Sequence, residues 1–155
     1  MEILDEAARW LVARGIHQWE SPPSPDCWAV FRREIAAERV YIITLEGSDE
    51  VVGTFRLSWN GAPLWNAEAN AGYLYSLALR PRYIGHGIGP FVIEWLTKHF
   101  VLLGKETFRL DCIATNKRLR TWYEALGFRY RGVATDGPYI LALYELDLSA
   151  HPNSS

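Results

Sequence analysis

The chain has 155 residues, enough for one domain to bury a core without disulfide support. Its 49% hydrophobic and 14% aromatic content excludes a disordered chain, a net charge of -2 argues against a general nucleic-acid binder, and no run reaches the roughly 18 apolar residues of a membrane span. Two cysteines, Cys27 and Cys112, stand far apart with no apolar signal segment, which points to a reduced, cytoplasmic setting.

The segment EILDEAARWLVARG places Ile3, Ala7, Trp10 and Leu11 on one helical stripe, with Gly15 to close it. A proline-rich turn in SPPSPDCWAVFRREIAAE leads into a second helix that sets Trp28, Phe31 and Ile35 on one side. VYIITLEGSDEVVGTFRLSW then reads as two strands joined by a turn at Gly47, Ser48 and Asp49; Phe55, Leu57 and Trp59 alternate with Thr54, Arg56 and Ser58, so one face is apolar. The loop NGAPLWNAEANAG carries Trp65, which either lines a site or packs down on the domain, the latter being the simpler expectation. YLYSLALRP is a nearly continuous apolar strand, as expected where both sheet faces are covered. A helix follows from about Ile88 to Leu103, with Phe91, Val92, Trp95 and Leu96 inward. TFRLDCIA is a further buried strand, and NKRLRTWYEALG a helix capped by Asn116 and stopped at Gly127. FRYRGVAT and YILALYELDL finish as two strands around a turn at Asp136, Gly137 and Pro138. One mixed α/β domain over residues 1–148, with a frayed tail at 149–155, accounts for all of this.

RYIGHGIGPFVIEWL, residues 82 to 96, poses the functional question. A strand, a glycine-rich turn and a helix form an anion site, because the first amides of a helix lack partners and its dipole favours negative charge there. Gly85, Gly87 and Gly89 let a phosphate approach the main chain, and Pro90 fits the first helical turn, which leaves the amides of residues 85 to 89 as donors. A P-loop is excluded, since no lysine follows the glycines. A dinucleotide fold is disfavoured: the spacing is G-x-G-x-G and Pro90 takes the sixth fingerprint position, although Asp111 stands downstream as a ribose-binding acid would.

The pattern resembles the GNAT superfamily of acyl-CoA-dependent N-acetyltransferases. Its Q/R-x-x-G-x-G/A signature is matched by RYIGHG, Arg82 to Gly87, after a strand ending in Leu77-Ala78-Leu79; its asparagine followed by Tyr-x-x-x-Gly-Phe is matched by Asn116 and Tyr123 to Phe128. The resemblance covers nearly the whole chain. It implies a central mixed β-sheet with a splayed strand pair, flanked by helices on both faces, and acetyl-CoA as cosubstrate with no metal. The coenzyme would be held by Leu77, Ala78, Leu79, Arg82, Ile84, Gly85, His86, Gly87, Ile88, Gly89, Asn116 and Tyr123. A main-chain N–H near Leu77 or Ala78 would polarise the thioester carbonyl, and pantetheine would pair with this strand.

Acetyl transfer needs a neutral amine, a held thioester and a proton for the leaving thiolate. The resemblance makes Tyr123 the acid; read from spacing alone, four residues after Leu119, it is equally a core aromatic. Candidates for the base are Asp111, Glu68 and Tyr75, or a water chain; Asp111 interrupts an apolar strand and has a competing reading as a structural partner of Arg109 or of the adjacent helix terminus. No cysteine takes a nucleophile's position, so direct attack is expected. The acceptor is a small-molecule or peptide amine that the sequence does not identify, with an aromatic wall of Trp59, Trp65 and Tyr75 as one means of holding it. A non-catalytic acyl-CoA sensor is the alternative, and the NKRLR run reads as a solvated helix face rather than a nucleic-acid contact. Two departures from the family stand out. Ile84 replaces the usual Arg or Gln, and no strand precedes the first helix, so either the start is late or the sheet edge is open or filled by another chain, which makes a homodimer an expectation.

Overall fold

In the computed structural model the described residues are 1–15, 24–61, 64–65 and 69–149. They form α1 (Glu2–Val12), α2 (Pro25–Ala36), β1 (Val40–Thr44), β2 (Val51–Ser58), β3 (Ala71–Leu79), a 3-10 turn (Pro81–Tyr83), α3 (Ile88–Leu102), β4 (Thr107–Ile113), α4 (Lys117–Ala125), β5 (Arg129–Asp136) and β6 (Tyr139–Asp147). The six strands lie in the order β1-β2-β3-β4-β6-β5. Strands β3 and β4 are parallel, whereas β1 with β2, β4 with β6 and β5 with β6 are antiparallel, so the sheet is mixed, as expected. Helices flank it. Glu68 and the tail beyond Ser149 lie outside the described residues.

The chain forms two compact units that divide β3 after Leu74: Met1–Leu57 with Tyr75–Gly89, and Ser58–Leu74 with Pro90–Ser155. In the first unit, α1 has acids in its first turn and Arg9 in its last, which suits the helix dipole, and Arg9 pairs with Asp5 at 3.3 Å. Its buried stripe is Ile3, Leu4, Ala7 and Ala8, turned from the expected one so that Trp10 is half-buried under the Arg14 guanidinium. Ile3, Leu4 and Ala7 pack on Ala78 of β3, with Met1, Phe31 and Val51 at the margin. Helix α2 starts where Ser24 accepts from the Cys27 amide at 3.2 Å. It buries no residue fully: Phe31 is half-buried, whereas Trp28 and Ile35 stay exposed. In β2 both faces are covered, since Val52, Gly53, Thr54, Phe55 and Leu57 are all buried, and the expected alternation is therefore lost.

In the second unit, Phe100, Phe108 and Phe128 stack edge to face with centroids 4.9 and 5.0 Å apart, the core on which α3, β4 and the chain after α4 meet. Burying each ring contributes about 1.5–3 kcal/mol. Gly72 is required here, because a Cβ would fall 2.6 Å from the Phe100 ring. Helix α3 buries Val92, Ile93, Leu96 and Phe100. This corrects the expected inward face: Phe91 and Trp95 point to solvent, because the core takes the side centred on Ile93 and Phe100.

Candidate functional site

The glycine segment belongs to the first unit, and its position is fixed from the end of β3. Arg80 donates its amide to the Val52 carbonyl at 2.8 Å and its Nε to the Val51 carbonyl at 2.9 Å, while its guanidinium reaches Glu6 at 2.6 Å. After the 3-10 turn, Ile84 to Gly87 are exposed and α3 begins at Ile88. Gly85 and Gly87 take φ of 84° and 80°, a region costly for residues with a Cβ, and a Cβ added at either would meet no heavy atom within 4 Å. The glycines thus serve the backbone conformation and leave its face open, room that fits a phosphate above the first amides of a helix. His86 is exposed between them, its ring 6.4 Å from that of Tyr83. Arg82 forms an ion pair with Glu50.

Along β3, Ala78 is buried against α1 while Leu77 and Leu79 are half-buried. Ser76 has φ of 55°, so a non-glycine residue holds a left-handed conformation inside the strand, directly before Leu77. Sequence gave no sign of this, since serine does not mark such a position. Tyr75 is half-buried, with the Arg56 guanidinium 4.9 Å from its ring centroid.

Asp111, Asn116 and Tyr123 belong to the second unit. Asn116 is buried and caps α4, its Oδ1 accepting from the Leu119 amide at 3.2 Å. Tyr123, about two turns further along α4, is 5% exposed, its ring packed on Phe128 and Tyr144 at centroid distances of 5.8 and 6.1 Å. Burial pushes its phenol well above the ordinary range, and the nearby Cys112 and Asp111 push the same way. The phenol therefore stays a proton donor. Cys112, buried in β4, has its thiol pushed up to about 12, mainly by burial and then by Asp111. Asp111, Cys112 and Tyr123 thus share one electrostatic neighbourhood.

Two polar networks were not foreseen. Arg120 donates its Nε to the Tyr144 hydroxyl at 2.9 Å and NH1 to the Ala114 carbonyl at 3.1 Å, and the Tyr144 hydroxyl donates to Glu124 at 2.8 Å. Arg120 therefore departs from the expected solvated run, while Lys117 and Arg118 keep to it. Arg109, buried in β4, donates to Glu145 at 2.7 Å and to the Tyr73 hydroxyl at 3.0 Å, and its guanidinium lies 4.2 Å from the Trp65 ring centroid. Trp65 is accordingly buried against Tyr73 and is not available as an aromatic wall, whereas Trp59 remains exposed. Spacing shows the arginines but not their partners, which come from other strands.

An open cavity of about 350 Å³ at the start of β4 is lined by Glu106, Thr107, Arg129, Arg131, Glu145, Asp147 and Ser149, none of them an expected site residue. Among the described residues no group of three or more His, Cys, Asp or Glu is placed to hold a metal ion, and no helix is long and apolar enough to cross a membrane.

The model of the Acetyltransferase (GNAT) family matches residues 4–128. The chain is 25% identical over 155 residues to the uncharacterized N-acetyltransferase YesJ of Bacillus subtilis (strain 168), covering 96% of this chain and 83% of that one. A GNAT-family acetyltransferase structure from Listeria monocytogenes 4b F2365 superposes with a TM-score of 0.70 at 21% identity, over 94% of this chain and 86% of its own. The yncA protein of Salmonella typhimurium, solved with its cofactor acetyl-CoA, gives a TM-score of 0.65 at 16% identity, over 95% and 85% of the two chains.

Proposed function

Because the chain belongs to the GNAT acetyltransferases and is thus an acetyl-CoA-dependent N-acetyltransferase, we propose that it acetylates a primary amine by direct attack in a ternary complex. The observation that carries this reading is the open main chain of Gly85 to Gly87 at the start of α3. The amides of residues 85 to 89, helped by the dipole of α3, hold the pyrophosphate, flanked by Arg82, Ile84, His86 and Ile88. The main chain of Leu77, Ala78 and Leu79 pairs with pantetheine, and Asn116 adds a contact to the same arm while keeping its cap.

Acetyl-CoA, when bound, supplies an activated carbonyl and a thiolate leaving group. The amine nitrogen bonds to the carbonyl carbon, the carbon–sulfur bond breaks, the amine sheds a proton and the thiolate takes one. A main-chain N–H at Leu77 or Ala78 stabilises charge on the carbonyl oxygen, a role that the left-handed turn at Ser76 supports by re-aiming the strand just before it. Tyr123 supplies the thiolate's proton; its raised pKa means that the phenol is protonated before the reaction, which argues against its being a base. The amine's proton goes to Asp111, Tyr75, Glu68 or water. Cys112, buried and with its thiol held protonated, is poorly suited to carry the acetyl group, which supports direct attack. The enzyme works in the cytoplasm.

The test is thiol release from acetyl-CoA over a panel of free amines and peptides, with Tyr123→Phe beside the parent. Turnover in the variant should fall by roughly 10²-fold, in kcat and kcat/KM together, with acetyl-CoA affinity kept. A kcat within about threefold of the parent, under about 1 kcal/mol, would reduce Tyr123 to packing. Saturable acetyl-CoA binding with no thiol released for any amine would favour a sensor.

A further inference from the structure

Resting on the acetyl-transfer reading above, we propose that the acceptor amine carries a free carboxylate and that Arg56 selects it, so that the substrate is of the amino-acid class. Arg56 lies on β2 in the first unit, paired in register with Val40 of β1, and its guanidinium is 4.9 Å from the ring centroid of Tyr75 on β3. Tyr75 stands two residues before Leu77, at the start of the stretch proposed to present the thioester carbonyl. Two extended residues span about 7 Å. The Arg56–Tyr75 pair therefore borders that stretch of strand.

The local charge points to an anion. Glu34 of α2 is shared by two arginines, its Oε2 lying 3.1 Å from Arg39 Nε and 3.6 Å from Arg56 Nη1. The second distance is too long for a hydrogen bond. Among the described residues no other carboxylate reaches either guanidinium, which leaves two cations on one acid and one positive charge in excess. Arg56 Nε is also buried without an acceptor among the described residues. With its side chain 23% exposed, Arg56 is less solvated than Arg39 at 46%, and it lacks the close partners of Arg80, which donates to Glu6 and to the Val51 carbonyl. Its donors are poorly spent.

The size of the excess favours one kind of anion. A single positive charge matches a carboxylate, whereas a phosphate monoester, carrying about -1.5 to -2, calls for a second cation. A guanidinium laid over an aromatic ring keeps its edge for parallel N–H···O bonds, the fork that a carboxylate fits.

Thiol release is measured with the common α-amino acids, β-alanine and 4-aminobutyrate, each beside its carboxamide, and with O-phosphoethanolamine. For the best acid, kcat/KM should exceed that of its carboxamide by roughly 10-fold in the parent and fall to within about threefold of it in Arg56→Gln. Arg56→Lys, which keeps the charge and loses the fork, should lie between. The carboxamide has the less basic amine, so a preference for the acid cannot come from easier deprotonation. An Arg56 that only ties β2 to α2 would lower both rates alike and leave their ratio unmoved. Such an unmoved ratio in either variant, a parent that takes carboxamides as readily as acids, or a preference for O-phosphoethanolamine over every acid would each overturn the proposal. If no amine releases thiol, acetyl transfer fails on its own and binding decides for Arg56. Calorimetry on the chain saturated with coenzyme A should then show the acids bound by the parent and at least about 10-fold more weakly by Arg56→Gln; acids that do not bind, or bind both chains equally, would sink it.

Discussion

Tyr123 sits where a ring gains most from packing and a phenolate would lose most from desolvation, so one placement gives both a core contact and a phenol that keeps its proton. The same low-polarity surroundings act on Cys112. Its thiol is raised from 9.0 to about 12 in the folded chain, so between these values the unfolded chain has lost a proton that the folded chain retains. Stability from this group is complete below pH 9 and is lost as pH rises toward 12; Tyr123 acts in the same direction. Urea midpoints should therefore fall between pH 8 and about pH 10.5, and Cys112→Ala should flatten that slope. A thiol reagent at pH 8 should label Cys27 and leave Cys112 untouched until the chain unfolds. At Gly87 an added Cβ would meet no heavy atom within 4 Å, but Val would be strained at φ of 80° and would occupy the open side of the loop. Gly87→Val should stay folded, lose about 1–2 kcal/mol of stability, and bind acetyl-CoA at least 10-fold more weakly in calorimetry; unchanged binding in a folded variant would remove the phosphate assignment.

Among the elements, α4 is where a structural role and a proposed ligand role meet in one side chain, Asn116. Asn116→Ala removes the cap, at a cost of about 0.5–2 kcal/mol, and any contact to the coenzyme with it. Asn116→Ser keeps a capping oxygen on a shorter stem. If Asn116 also contacts acetyl-CoA, the serine variant should melt within about 2–4 °C of the parent while its KM for acetyl-CoA rises several-fold; a KM equal to the parent's would leave the cap as its whole role. Element α3 shows why residues were harder to place than elements. The apolar run and the glycines before it located the helix to within a residue of its observed end. With Phe91, Val92, Ile93, Trp95, Leu96 and Phe100 all apolar, however, no polar face was left to mark the outside, and the inward face was read one side off. In α4, where charges alternate with apolar positions, the Asn116 cap was legible, and in α1 the helix was legible although its buried stripe is turned from the expected one.

Across the whole molecule, the order of helices and strands and the mixed sheet were readable because each strand is bounded by turn residues with a physical reason to be there, such as Asp136, Gly137 and Pro138 between β5 and β6. The open turn before α3 was legible for the same reason: Gly85 and Gly87 hold the positive φ that favours glycine. What could not be read was anything made by two distant segments. Arg109 with Glu145 and Tyr73, Arg120 with Tyr144, and Arg80 with Glu6 join residues 36, 36, 24 and 74 positions apart, and a local pattern says nothing of them.

The last of these pairs has a consequence for how the protein is made. Helix α1 leaves the ribosome early, yet the surface that buries Ile3, Leu4 and Ala7 includes Ala78, and the cation that meets Glu6 is Arg80. At roughly 5–20 residues per second, some 4 to 15 s of synthesis separate the helix from its partners. During that time an amphipathic segment, four of whose residues are buried in the finished fold, waits in the open, accessible to chaperones and to other nascent chains, and only the emergence of the strand that ends at Leu79 takes it out of their reach.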